Sequence, residues 1–153
     1  MEEKELRLNW LPGDGDLRDA FAVRLRVFCD EQGYSPDMEL DDRDKTARHL
    51  VACDGGTTVG TGRLYEKRPG VYGLGRLAVL PAYRSCGLGA RLVREMCREA
   101  ARLGARTVEL DAQCRVIPFY EKQGFTVCGE EHLDGHVPHR LMRRELPESK
   151  LDI

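Results

Sequence analysis

The chain lacks any run of apolar residues near the roughly 20 that cross a bilayer. It has no apolar stretch behind a basic start, since its first residues are MEEKELRLNW. Neither a membrane span nor an export leader is expected. Positive charge is not in excess: 24 Lys and Arg stand against 26 Asp and Glu, for a formal charge of −2. No basic field points to nucleic acid. Six cysteines are scattered without a CxxC pair. With no leader, reduced and mostly core-filling thiols are expected, and hence a cytoplasmic setting. No internal repeat, low-complexity segment or long linker divides the 153 residues. One domain over 1–153, with its core at about 5–146, is the expectation.

What is present is patterned. Residues 6–11 (LRLNWL) alternate and stop at Pro12-Gly13, as a first strand and turn would. After Asp16, a suitable cap, Leu17, Ala20, Phe21, Leu25 and Phe28 share one helical face. An irregular loop follows, EQGYSPDMELDDRDK, in which acids outnumber bases. Residues 49–53 and 57–65 read as two strands around Gly55-Gly56, and 71–80 as another. Residues 87–103 form an amphipathic helix with Leu88, Leu92, Val93, Met96, Ala100 and Leu103 on one side and Gly104 at its end. A strand at 107–110, a short helix at 118–123 and strands at 125–128 and 137–146 complete the chain. The order predicts a mixed α/β sheet with helices on both faces.

Between a strand and the long helix stands Arg84-Ser85-Cys86-Gly87-Leu88-Gly89. Glycines there let the backbone turn tightly and approach a ligand closely. The first amides of a helix lack partners within it and face the positive end of the dipole, which suits a phosphate. A Walker loop would need Lys-Ser/Thr after the second glycine, but Ala90-Arg91 follow. A dinucleotide fingerprint would need a third glycine after Gly89 at the required step, and it is absent. The hexapeptide alone fits either a phosphate loop or a plain connecting turn.

Two longer segments decide the comparison. RLAVLPAYRSCGLG, residues 76–89, together with PFYEKQGF, residues 118–125, resembles the GNAT superfamily of acyl-CoA-dependent N-acyltransferases. The likeness runs from the first strand to about Leu146. Residues 26–32 (RVFCDEQ), Glu39-Leu40-Asp41, Asp44, His49 and the late GHVPHRLM, residues 135–142, resemble its ElaA-like subgroup. Asp30, inserted before Glu31-Gln32, departs from the usual subgroup pattern.

The resemblance implies a largely antiparallel sheet of about six to seven strands. It implies acetyl-CoA as acyl donor and a small primary amine as acceptor. Arg84, Ser85, Cys86, Gly87, Leu88, Gly89 and Ala90 would hold the pyrophosphate, so that the backbone itself is the binding surface. Leu77, Ala78 and Val79 would pair with the pantetheine arm, and Gln113 would touch it. Tyr120 would protonate the leaving thiolate, because a phenol of pKa near 10 still carries its proton at neutral pH. A main-chain amide near Val79 would polarise the thioester carbonyl. Glu31, Gln32 and His139 are candidates at the acceptor end.

His132, His136 and His139 have no compact metal spacing, so no metal is expected. Sheet edges near the C-terminus leave room for a homodimer. Two other functions share the fold: a coenzyme A-binding sensor without chemistry, and an enzyme that acetylates proteins.

Overall fold

The computed structural model describes residues 5–147, with the side chains of Asp37 and Met38 excepted. The chain's first four and last six residues lie outside the described residues. Strand β1 (Arg7–Pro12) is followed by helix α1 (Arg18–Arg24) and a π-helical turn at Leu25–Glu31. A one-turn helix α2 (Pro36–Glu39) and a 3-10 turn at Asp42–Lys45 lead to β2 (Arg48–Asp54), β3 (Thr57–Arg68) and β4 (Val71–Val79). Then come α3 (Leu88–Arg102), β5 (Thr107–Gln113), α4 (Ile117–Lys122), β6 (Thr126–Val127), β7 (His132–Asp134) and β8 (Val137–Glu145).

The eight strands form one sheet in the order β1-β2-β3-β4-β5-β8-β6, with β7 paired to β8. Among the described residues, only β4 and β5 run parallel. The sheet therefore has one strand more than the upper expectation. The extra strand, β7, is three exposed residues, too short and too polar to signal itself.

Two faces are covered by different helices. Helix α3 sends Leu88, Leu92, Val93, Met96 and Ala100 into the main core, each at most 3% exposed. Each large side chain so buried contributes about 2 kcal/mol. On the other face, Val23 of α1 and Val27 pack against Ala78. Leu17 occupies the cap position of α1. Asp16 instead accepts the backbone N–H of Arg18 at 3.1 Å and holds its guanidinium.

Candidate active site

Strand β4 contains an irregularity that opens the sheet. Thr61 pairs with Ala78 and Arg63 with Gly75, so two residues of β4, Arg76 and Leu77, oppose the single Gly62 of β3. Arg76 takes up this bulge at φ 51°, a costly conformation for a residue with a Cβ. Parallel pairing with β5 covers only Val71, Tyr72 and Gly73. Beyond Gly73 the two strands separate, and β5 continues with β8 alone.

The gap is a cavity of about 790 Å3. One wall is Leu74, Gly75, Arg76, Leu77 and Val79; the other is Leu110, Asp111 and Gln113. Ser85, Gly87, Leu88, Gly89 and Ala90 line its α3 end. An adjoining opening of about 660 Å3 shares Gln32, Leu77, Val79, Arg84 and Gln113 with it.

The glycine loop has the form expected of an anion cradle. Ser85 and Gly87 both lie in the left-handed region, at φ 71° and 82°. The first bond of α3 runs from the N–H of Arg91 to the Gly87 carbonyl at 3.0 Å. The amides of Leu88, Gly89 and Ala90 precede that bond and stay free for a ligand. Arg84 ties the loop down: its Nε donates to the Val79 carbonyl at 2.9 Å, and its fork meets the Glu31 carboxylate at 2.8 and 3.0 Å. Cys86 is exposed, its thiol donates to the Tyr83 carbonyl, and it does not line the cavity.

Leu77 and Val79 face the cavity, while Ala78 turns to the α1 side. Gln113 lines the cavity and donates to the side-chain oxygen of Gln32 at 2.7 Å. Glu31 points to Arg84 and the adjoining opening, away from the main cavity. The π-helical turn aims Phe28 and Gln32 into the cleft from the end of α1.

Tyr120 is 9% exposed and reaches the cavity. Its ring stands edge-on to Phe119 and Phe125, with centroids 5.0 and 6.0 Å away. Burial pushes its phenol well above the ordinary tyrosine range, so it stays protonated. Among the described residues its hydroxyl has no hydrogen-bond partner. His139, 5% exposed, lines the same cavity. Its Nδ1 lies 2.9 Å from the Val137 carbonyl, which can only accept. The neutral ring thus carries its proton on Nδ1 and keeps a lone pair on Nε2, 3.9 Å from Asp134.

The other end of the cavity holds residues the sequence did not single out: Tyr34, Arg43, Arg63, Tyr65, Arg76 and Asp134. The acidic loop is largely consumed by arginines here. Arg24 meets Glu39 at 2.9 Å and Asp44 at 2.8 Å; Arg63 meets Asp41 and Asp44; Arg76 meets Glu39 and Asp41. Two exposed hydrogen bonds tie the loop after the π-helical turn to the β7–β8 hairpin. Tyr34 donates to the Asp134 carbonyl at 3.0 Å, and His136 Nε2 lies 2.6 Å from the Gln32 carbonyl. His132 pairs with Asp111 at 2.8 Å, and among the described residues no cluster of metal-ligating side chains forms.

Residues 16–125 match the sequence pattern of the acetyltransferase (GNAT) family. The chain belongs to the GNAT family. It is an acyl-CoA-dependent N-acyltransferase. The N-acetyltransferase YjcF of Bacillus subtilis is 38% identical over 130 residues, covering 84% of this chain and 92% of that one. An acyl-CoA N-acyltransferase from Pseudomonas aeruginosa has a similar structure, with TM-score 0.82 at 30% identity over 92% of this chain and 99% of that one. Escherichia coli ElaA shares the fold with TM-score 0.84 at 24% identity, over 92% of this chain and 100% of that one. The bulged β4 and the loop before α3 line one opening.

Proposed function

We propose that this enzyme transfers the acetyl group of acetyl-CoA to the primary amine of a small molecule by direct attack on the thioester. One observation carries the proposal. The amides at the start of α3, the bulge of β4 and Tyr120, whose hydroxyl has no partner among the described residues, all line one cavity.

The residues present suit coenzyme A. Ser85, Gly87 and the amides of Leu88, Gly89 and Ala90 would take the pyrophosphate, and Arg84 would add a cation. Beyond Gly73 the β5-facing edge of β4 has no strand beside it, so main-chain groups on that edge, other than the Val79 carbonyl that Arg84 holds, would meet the amides of the pantetheine arm. Gln113 extends that wall.

In the reaction the neutral amine attacks the thioester carbon, the C–S bond breaks, and an amide forms. A β4 amide near Val79 takes up charge on the carbonyl oxygen. Tyr120 gives its proton to the departing sulfur. His139 Nε2, holding a lone pair, takes a proton from the attacking nitrogen, directly or through water.

A small acceptor is favoured over a protein because the Tyr34–Asp134 and His136–Gln32 hydrogen bonds tie the loop after the π-helical turn to the β7–β8 hairpin beside the cavity. A cytosolic setting accords with six free thiols. The test is an assay of amine-dependent thiol release over polyamines, amino sugars and amino acids, with the N-acetyl product identified by mass. Coenzyme A sensing without turnover would be read as binding with no product.

A further inference from the structure

The far end of the cavity is built around Tyr65. Gly73 faces it across the β3–β4 pair, where a Cβ would overlap the ring. The ring therefore lies across β4. Two guanidiniums flank it, Arg43 at 4.0 Å and Arg63 at 5.8 Å from its centroid.

Their donors are not used up. Three arginines (Arg24, Arg63, Arg76) already offset three acids (Glu39, Asp41, Asp44) in the network beneath. Arg43 stands outside that balance: among the described residues it makes no ion pair and donates no hydrogen bond. Arg63 is 3% exposed, and only its Nη1 donates, to Asp41 and Asp44. Its Nε–H is buried without a partner, and Nη2 makes no hydrogen bond among the described residues. Arg43 sits over the Tyr65 ring with its N–H groups unused among the described residues, and such a fork can meet a carboxylate with two parallel bonds. Across the cleft, on β5, β7 and β8, the same cavity carries Asp111, which His132 pairs, with Asp134 and His139. Cations on one wall and acids on the other suit a molecule with both charges.

We infer that the acceptor is an amino acid or a close relative: an amine that also bears a carboxylate, which Arg43 grips against Tyr65 with Arg63 behind it. The amine then lies toward Asp111, Asp134 and His139, facing the thioester. This deepens the acetyl-transfer proposal and rests on it.

The test uses matched pairs, an amino acid and its carboxamide, with saturating acetyl-CoA. The readout is the ratio of kcat/KM within each pair. A ratio of at least about tenfold in favour of the acid is expected for at least one pair, since a site built for a polar group rejects the analogue lacking it. Arg43→Gln should collapse that ratio toward one, and Arg43→Lys should restore part of it. Arg43 is exposed and unpaired, so folding should survive; Tyr65→Leu, removing the platform, should lower the ratio independently. Acetyl-CoA bound and amines acetylated, with acids no better than carboxamides, would overturn the inference alone. Acetyl-CoA neither bound nor consumed with any amine would overturn the acetyl-transfer proposal, and this inference with it.

Discussion

The ring of Phe119 stands 3.3 Å from the place a Cβ on Gly89 would occupy. This contact joins α4, which carries Tyr120, to the first turn of α3. Gly89 is thus small for two reasons: it lines the cavity, and it lets α4 come close.

Gly89→Ala should cost at most about 1 kcal/mol of stability, because Phe119 must shift by a few tenths of an ångström. Gly89→Asp should add a negative charge in the anion cradle and lower acetyl-CoA affinity at least tenfold. Thermal unfolding and calorimetric titration of both variants check this. Unchanged affinity in a folded Asp variant would exclude Gly89 from the phosphate loop.

Tyr120→Phe should lower kcat by about 100-fold or more, with acetyl-CoA affinity nearly unchanged. Stability should move little, because the lost hydroxyl has no hydrogen-bond partner and the ring packing with Phe119 and Phe125 stays. Rapid-quench kinetics on the best acceptor measure it. A kcat within twofold of wild type, with chemistry rate-limiting, would leave Tyr120 as packing only.

Some of this site is legible in a one-dimensional string and some is not. Helix α3 shows itself because Leu88, Leu92, Val93, Met96 and Ala100 recur at helical spacing and are buried together. The loop shows itself through Gly87 and Gly89, two glycines one residue apart where a strand meets a helix. The far end does not. Arg24, Arg63 and Arg76 find their acids 15 to 37 residues away, and no local period encodes such pairs. Arg76 reads as an ordinary strand residue, and its positive φ is set by the register slip against Gly62. The loop reads only as an excess of acids, and its sequence does not show that Glu39, Asp41 and Asp44 sit against arginines. The π-helical turn at Leu25–Glu31 also leaves no period of its own, though it sends Glu31 to Arg84 and Gln32 to Gln113.

Glu109 should be a stability residue. It is 1% exposed and is held by Lys67, Arg68 and Arg143 at 2.8, 2.9 and 2.6 Å. Burial alone would raise its carboxyl, but the three cations hold it down at about 2. Its folded pKa is depressed, so its contribution is present above about pH 4.5 and is lost as pH falls toward 2. Glu109→Gln should cost about 2 kcal/mol in urea unfolding at pH 7. That is below the range for pairs buried on both sides, because the cations are 28–51% exposed. A neutral effect would mean that solvent screens the cluster.

His49 should make stability depend on pH near neutrality. It is fully buried, its Nε2–H donates to the Asp44 carbonyl at 2.9 Å, and its Nδ1 has no partner. Burial lowers its pKa, and Arg24 and Arg63 push the same way against Asp44. The unfolded chain therefore binds a proton at His49 near pH 6.5 while the folded chain does not. Stability should fall as pH drops from 7 through 6.5, and His49→Gln should flatten that slope in urea unfolding. An unaltered slope in the variant would assign the proton uptake elsewhere.

The central claim is that the glycine loop and the opened β4 form one acetyl-CoA site that serves an amine acceptor. Titrating wild-type protein with acetyl-CoA in a calorimeter, then adding amines while following free thiol, tests it most directly. One acetyl-CoA bound per chain is predicted, with thiol release that appears only with an amine and equals the N-acetyl product formed. No binding, or thiol release at the same rate without any amine, would contradict it.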